Sequence, residues 1–572
     1  MSKIMYVLFR NRKTENVLAE KVRSICDDLN PNNISAIPSK IGGNDGVLWG
    51  ISNPNETILI NDNNIFYGQP FGNPGDWCIP ESEKPDGNYA IFRTNDNKFE
   101  LVSDILGTKA IWYYKDDEIF VSSSSQRAII QLLGKFEFNE KIIPWMVSNG
   151  LLGPGQSWDK NISLLPPEST LILDRHTWML SLVTQKVEFK PNQKSDRENL
   201  NLFKNTLNSL FSQMSLDYSE WNLTLSGGYD SRGILLGLPK KDKKGNTIKT
   251  VTWGLANALK TPGNDAYIAR KLADKLKIPH HYYSTNTSSE ESISTILDRF
   301  LKNGEGRIDH IGGYMDGFSI WKNLYENGIK GIIRGDEAFG SNNFVSEFHM
   351  KKFMGLSVPD DYENLNKIDC FKKNIVVFPD YFKKKEEETK EMWRDRLYHS
   401  HLVPTFLSAL EDLKQPYIEQ INPLLSRKII YLIRELPDHM RTEKKIFKKY
   451  VNSFNYSLKF ANSRAIEPLE DIFRQREMVK MVKEELNSSL AKSIFSEDLL
   501  SHVIEKVTIT SEKNLNNKSL LKKIKRWIPK SIKKRVLKET FTPNADMNRV
   551  AFRLFLIIRM HKLLDEDSRV IS

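Results

Sequence analysis

The residues best suited to chemistry lie between Trp221 and Gly237, in WNLTLSGGYDSRGILLG. Leu223 and Leu225 alternate into Ser226-Gly227-Gly228, and Ser231 opens a run containing Ile234, Leu235 and Leu236. That pattern predicts a buried strand, a tight turn and the start of a helix. Two adjacent glycines let the backbone turn sharply and bring N–H groups to a ligand with no Cβ in the way. With the positive end of a helix behind them, such donors suit phosphate oxygens. Ser226 and Ser231 add hydroxyls, and Asp230 adds a carboxylate able to hold magnesium on the same phosphates. The loop has no lysine, so it is not the G-x-x-x-x-G-K-S/T phosphate loop. A strand-to-helix turn capped by serine or aspartate is the plain alternative.

A second stretch, GIKGIIRGDEAFGSNNF (Gly328–Phe344), reads as a strand ending at Ile332 and Ile333. After it, Gly335, Asp336 and Glu337 place carboxylates at the same sheet edge as the first loop. Between the two, Thr250-Val251-Thr252-Trp253-Gly254 reads as another strand. Asn264–Tyr283 reads as a helix, with Ala266, Ala269, Leu272, Ala273 and Leu276 at helical spacing, running into an aromatic strand. In an open parallel sheet, ligands lie beyond the carboxyl ends of the strands. His280 and His281 read as strand residues rather than metal ligands, and His399 and His401 lack a partner carboxylate at helical spacing.

The S-G-G-x-D-S turn resembles the pyrophosphate loop of the asparagine-synthetase family, whose members split ATP to AMP and pyrophosphate. Asp336, Glu337 and, one place early, Gly340 are similar to the second half of that family's S-G-x-G-x-D-E-x-x-x-G. Arg334 and Ile333 stand where it has a glycine and an acidic residue. Asp265 and Ala269 resemble its D-x-x-x-A helix, Ile421–Ser426 its P-F-L-D turn, and Arg441–Val451 its lysine-bearing helix. Ser463-Arg464-Ala465-Ile466 keeps the arginine of a basic pair and lacks the lysine. The resemblance implies ATP and Mg²⁺ as cofactors. Leu225, Ser226, Gly227, Gly228, Asp230, Ser231 and Gly335 would surround the phosphates, and Trp253 and Gly254 the adenine. Asp230 and Asp336 would hold magnesium, with Glu337, Arg464 and Lys444 as further catalytic candidates. A substrate carboxylate would attack the α-phosphorus, and an amine would capture the acyl-adenylate as an amide.

In the first third, turn clusters such as GGNDG and KPDGN separate short β-branched and aromatic segments, which predicts a β-rich domain. Pro85–Tyr114 reads as hairpins and resembles the family's amino-terminal domain at Asp104, Gly107, Trp112 and Tyr113. Ile162–Pro167 resembles the strand start near that domain's end, with Glu168 where a glycine would be. In glutamine-dependent members this domain is a glutaminase with an amino-terminal cysteine. Ser2 stands there instead, and a hydroxyl is the poorer nucleophile. The reading is a retained fold without glutaminase chemistry, as in the family's β-lactam synthetases and lasso-peptide cyclases, whose amine comes from the substrate. The expected organisation is an α/β chain in three parts. An Ntn-hydrolase-like α/β sandwich covers 1–190, followed by a linker over Lys190–Glu198. A PP-loop (adenine nucleotide alpha hydrolase-like) domain with a doubly wound parallel sheet and helical additions covers 199–470. A basic helical extension covers 471–572.

Composition sets the outer bounds. A chain of 572 residues holds roughly two to four domains. Cys26, Cys78 and Cys370 form no metal-ligand spacing, which suits a reducing cytoplasm. The first apolar run is too short for a signal peptide, and no run of about 18 apolar residues occurs. The net charge of +11 is unevenly spread: Lys513–Lys538 carries eleven Lys or Arg and no acid, with Leu521, Ile524, Ile528 and Ile532 near one helical face. Such a segment suits an anionic membrane surface, placing a cytoplasmic enzyme peripherally at the inner membrane, or an acidic partner. A solvated face is the plainer alternative, and nothing resembles a nucleic-acid-binding module. Within the charged stretch Glu347–Gln415, the run Lys383–Glu391 reads as a solvated helix laced with i,i+4 pairs. The substrate stays open between a peptide side chain, a sugar acid of a surface polysaccharide and a small molecule such as free aspartate. Glutamine-dependent asparagine synthesis, a non-catalytic ATP-binding protein and a tRNA-acting pyrophosphatase are the alternatives.

Overall fold

The computed structural model describes residues 2–11, 16–344, 346–372, 376, 378–509 and 543–569. The basic segment 513–538 lies outside them.

In the first third, two six-stranded sheets form from strands whose pairings are antiparallel. One runs, in spatial order, Ser163–Leu164, Trp112–Lys115, Ile119–Ser123, Ile4–Phe9, Val47–Ile51, Lys40–Gly42. The other runs Leu180–Thr184, Ser169–Asp174, Lys98–Ser103, Gly87–Thr94, Asn64–Pro70, Leu59–Asn61. Successive side chains of a strand point to opposite faces, and Ile4–Phe9 uses both. Ile4, Tyr6 and Leu8 enter a core with residues of the second sheet, where Tyr6 stacks 5.4 Å from Phe92 and 5.0 Å from Phe99. Met5 and Val7 pack instead with Val22, Ile25, Ala128 and Ile129 of helices Asn16–Asp28 and Gln126–Leu133. With both faces buried, a one-residue register slip would exchange the two sets.

The structure gives physical reasons for two of the motifs. Asp104 is buried, and its carboxylate accepts from the N–H groups of Leu106 at 2.9 Å, Thr108 at 3.2 Å and Tyr89 at 3.0 Å, closing the turn that Gly107 completes at φ 60°. Glu168, standing where a glycine was expected, adopts φ 51°, a left-handed conformation costing a non-glycine residue of order 1 kcal/mol. Its carboxylate is held by Arg434 at 2.7 Å, across the seam to the second domain.

The second domain is built on a five-stranded parallel sheet: β1 (Trp221–Thr224), β2 (Lys249–Gly254), β3 (His280–Ser284), β4 (Gly331–Ile333) and β5 (Glu419–Ile421). The spatial order is β3-β2-β1-β4-β5. The order reverses at β1, so with right-handed crossovers the β1-to-β2 and β3-to-β4 connections lie on opposite faces of the sheet, opening a crevice at the carboxyl end of β1. The first two thirds are thus a mixed α/β structure with antiparallel and parallel sheets.

One segment departs from the sequence-based expectation. Lys383–Thr389 forms turns and a helix starts only at Lys390, so the charged run is not the expected solvated helix. Thr389 caps that helix, accepting from the Met392 N–H. The helix then passes into a ten-residue π-helix, Tyr398–Leu407, containing Pro404. Helices of this kind are rare and favour functional sites. The final helix, Met547–Asp567, returns to the first domain and is buried along most of its length. No helix among the described residues is long and apolar enough to cross a membrane.

His399 and His401 lie on the π-helix, each about 1% exposed. The Nε2–H of His399 donates to the Ala338 carbonyl at 2.8 Å. Burial, reinforced by the charge of Arg434, pushes His399 down to about 3, and burial pushes His401 down to about 4. A histidine with a lowered folded pKa takes its proton first in the unfolded chain. Its stabilisation is therefore present above about pH 6.5 and lost as the pH falls toward 4. Between pH 6.5 and pH 5 each should remove about 2 kcal/mol. Urea denaturation of the wild type and of a His399→Asn/His401→Asn double variant measures this. The variant should lose less stability over that interval, and equal losses would contradict the account.

Candidate active site

The crevice at β1 gathers most of the residues singled out from sequence. Leu225 extends the strand, its N–H donating to the Val251 carbonyl at 2.8 Å. The turn then folds onto its own side chains. Ser226 N–H donates to Ser231 Oγ at 2.9 Å, Gly227 N–H to Asp265 Oδ1 at 2.9 Å, and Gly228 N–H to Ser226 Oγ at 3.2 Å. Asp265, on the helix after β2, thus anchors the loop. Neither Gly227 nor Gly228 has a positive φ. Gly227 is required by space instead: a Cβ there would lie 2.7 Å from Ala461 Cβ and 2.9 Å from Ile268 Cβ. The helix Asp230–Gly237 follows, with Asp230 in its first turn.

Across the crevice, Gly335 presses against that helix start, where a Cβ would stand 2.8 Å from the Ser231 nitrogen. The second turn therefore approaches the first at backbone contact, and Asp336 and Glu337 come with it. Lys444 joins them. Its Nζ lies 2.8 Å from Asp230 Oδ2 and 2.8 Å from Glu337 Oε1. Glu443 and Lys444 are both left-handed, at φ 58° and 57°, each at a cost of order 1 kcal/mol. Asp336 is paired differently: Arg334 Nε donates to it at 2.8 Å, and its own N–H donates to Asn422 Oδ1 at 3.3 Å.

These pairings set the charges. Burial pushes the Asp230 and Glu337 carboxyls up, against the opposing pull of Lys444. Burial alone would lower the Lys444 ammonium, but the charges of Glu337 and Asp230 hold it above its ordinary value. For Asp336, burial is outweighed by the Arg334 guanidinium, and its carboxyl sits below the usual range.

Trp253 and Gly254 lie at the carboxyl end of β2, with the Trp253 ring edge-on to Trp321 at 5.2 Å. A strap over 461–465 runs along this rim. Ala461 N–H donates to the Gly227 carbonyl at 3.0 Å, Asp265 N–H to Ser463 O at 3.0 Å, and Leu255 N–H to Ala465 O at 2.8 Å. A Cβ on Gly254 would be 2.5 Å from Ala465 Cβ, so the two rim glycines admit this strap. Arg464 lies on it with an exposed side chain and no ion pair among the described residues. The structure does not bring its guanidinium into the carboxylate cluster. His280 stays a strand residue, its Nδ1 3.0 Å from Thr250 Oγ1.

Three site neighbours went unread in the sequence: Glu411 and Lys414, buried behind Asp336, and Tyr398 on the π-helix. Asn422 Nδ2 donates to Glu411 Oε1 at 2.5 Å, linking it to the Asp336 turn. Burial pushes Glu411 up to about 7, and burial with the charge of Arg334 pulls Lys414 down to about 7. Neither belongs to a local motif.

The cluster fits a divalent cation shared with phosphates. Among the described residues Asp230, Asp336 and Glu337 form ion pairs with Lys444 and Arg334 alone, and Asp230 Oδ1 is buried with no hydrogen-bond partner. No group of three or more His, Cys, Asp or Glu among the described residues is arranged to hold a metal by itself. Magnesium commonly takes one or two carboxylates and completes its shell with water and substrate phosphates.

No protein-family model and no curated protein matches the chain. Among solved structures it is similar to the allosteric regulatory enzyme of purine biosynthesis, at 9% identity over 54% of this chain and 88% of that one, with a TM-score of 0.21. It is also similar to glutamine phosphoribosylpyrophosphate amidotransferase from B. subtilis complexed with ADP and GMP, at 8% identity over 60% and 83%, with a TM-score of 0.20. At these TM-scores neither similarity bears on fold or activity.

Proposed function

We propose that the chain is an AMP-forming, ATP-dependent ligase that activates a substrate carboxylate and passes it to an amine. The observation that carries this reading is the meeting of the S-G-G-x-D-S and G-D-E turns, at backbone contact, where the order of the parallel sheet reverses. The helix start at Asp230 offers its first N–H groups to phosphate oxygens. Lys444 and Arg334 supply fixed positive charge where a leaving pyrophosphate gains negative charge. Asp230 and Asp336 would hold Mg²⁺, which when bound screens the phosphate charge. Trp253 and Gly254 would border the base.

The amine is supplied by the substrate in this reading. Ser2 is fully buried, its hydroxyl donating to the Asn53 carbonyl at 3.1 Å while Tyr67 donates to the Ser2 carbonyl at 2.9 Å. No face of that hydroxyl is open to glutamine. A second reading, nucleotide binding without turnover, is favoured by one observation: Lys444 and Arg334 already pair with the carboxylates assigned to magnesium.

The test is exchange of labelled pyrophosphate into ATP, with Mg²⁺ and a panel of uronic acids, amino acids and peptides. Exchange dependent on one carboxylate, with AMP as product, is the expected result. ADP as product would overturn the assignment, and ATP binding without exchange for any acid would favour the second reading.

A further inference from the structure

Beyond the carboxylate cluster, one surface leads into it. Phe344 lies 5.2 Å from Phe353, and Phe353 stacks 6.2 Å from Tyr398 with planes 25° apart. Phe353 is 45% exposed. Tyr398 opens the π-helix at the inner end of this ladder. Its phenol is held neutral by burial and by the nearby charges of Glu337, Asp336 and Asp230. Among the described residues its hydroxyl makes no hydrogen bond, leaving a donor at the mouth of the cluster.

Polar groups interleave with the rings. Gly340, at φ 110°, turns the chain after Glu337 so that Ser341, Asn342 and Asn343 lead into Phe344. Ser341 Oγ is buried with no partner, while its carbonyl accepts from the Glu443 N–H at 3.2 Å, next to Lys444. Asn342 and Asn343 are exposed, and Asn343 is oriented by Arg394, which donates to its Oδ1 at 3.0 Å. A buried unpaired hydroxyl is costly unless a ligand or water satisfies it.

The exposed ring of Phe353, flanked by the partly buried Phe344 and Tyr398 and by the exposed amides of Asn342 and Asn343, suits a ligand with an apolar C–H face and a rim of hydroxyls. We propose that Phe344, Phe353 and Tyr398 form a stacking subsite for a saccharide ring, and that the carboxylate activated at the cluster belongs to an acidic sugar. This rests on the ligase reading for the second half of the statement only. Free aspartate has no ring to place on the ladder and would leave Asn342 and Phe353 unused. Tyr398 would donate to a sugar oxygen beside the carboxylate, fixing its approach to the cluster.

Saturation-transfer difference NMR on the full chain, without nucleotide, tests the subsite with methyl β-D-glucopyranosiduronic acid as probe. A phenylalanine-containing acidic hexapeptide serves as comparison. Saturation should pass to the sugar ring protons. Phe353→Ala should weaken binding about tenfold, and Phe353→Trp should restore it. Tyr398→Phe should weaken binding while keeping the ring contact, a split that a merely structural role would not give. Thermal melting shows whether each variant is folded. No transfer to the uronoside, equal binding by folded Phe353→Ala, or transfer to the peptide alone would each overturn the proposal. Because this readout needs no ATP, failed pyrophosphate exchange with intact sugar binding would remove the ligase reading and leave the subsite standing.

Discussion

On the proposed reading, Asp230→Ala should lower AMP formation about a thousandfold while the chain stays folded. The size follows from position. Asp230 pairs with Lys444 at 2.8 Å, presents a second oxygen with no hydrogen-bond partner among the described residues, and sits in the first turn of the helix that would face the phosphates. Removing one preorganised group of this kind typically costs about 10²–10³ in rate, or roughly 3–4 kcal/mol of barrier. The structural cost is small, because the side chain is 27% exposed and Lys444 keeps Glu337 at 2.8 Å. Asp230→Asn should behave almost as Asp230→Ala, since charge rather than shape is lost. Chromatographic assay of AMP, alongside circular dichroism, measures both halves. AMP formation within tenfold of wild type would mean that this loop does not handle the phosphates. Lys444→Met tests the other side of the pair: it should also slow AMP formation, while removing the charge that opposes the rise of the buried Asp230 and Glu337 carboxyls.

The parts of the site that were legible in sequence are those set by local rules. Alternation through Leu223 and Leu225, glycines at 227 and 228, and the apolar run from Ile234 give a strand, a turn and a helix whatever surrounds them. Yet the reason for glycine was misjudged. At Gly227 it is the approach of Ala461 and Ile268, more than 30 residues away, and not turn conformation. Arg334 read as a departure from a motif, whereas in the structure it is the partner of Asp336. Lys444 was legible as a candidate, but not its left-handed backbone, which sits beside the Glu443 N–H that donates to the Ser341 carbonyl. Glu411, Lys414 and Tyr398 could not be found by spacing. The first two owe their shifted protonation to burial against residues far away in the chain, and the third sits on a π-helix that no period of 3.6 announces. For the same reason Lys383–Glu391 looked helical: its charges are compatible with a helix, but Arg396 takes Glu388 and the backbone of Tyr381 and Lys383 as partners and holds the run as turns.

Asp309→Asn should cost about 3–5 kcal/mol of stability, the largest loss expected from a residue outside the site. Asp309 is 2% exposed, and its carboxylate accepts from Arg549 Nε at 2.7 Å, Arg549 Nη2 at 2.9 Å and Arg553 Nε at 2.6 Å. The two arginines are one turn apart on the final helix, Met547–Asp567, and Arg553 also donates to the Val147 carbonyl at 2.8 Å. Burial would raise the Asp309 carboxyl, but the two guanidiniums hold it well below the usual range. Its stabilisation is therefore complete above an ordinary carboxyl pKa of about 4, and is lost only in acid. Space around it is closed: a Cβ on Gly150, which has φ 70°, would lie 2.2 Å from Asp309 Cγ. Neutralising Asp309 leaves Arg553, only 7% exposed, and the partly exposed Arg549 facing each other without their shared carboxylate. The same strand of chain carries His310, whose ring meets Phe406 of the π-helix edge-on at 5.9 Å. Undocking the final helix should thus loosen the wall that carries Tyr398. Urea denaturation measures the first effect, and hydrogen exchange over Tyr398–Leu407 the second. Asp309→Leu combined with Arg549→Leu and Arg553→Met should recover most of the loss, because it removes the buried charges together. A loss below about 1 kcal/mol for Asp309→Asn at pH 7 would show that the arginines find water or other partners, and that the helix docks by its apolar face alone.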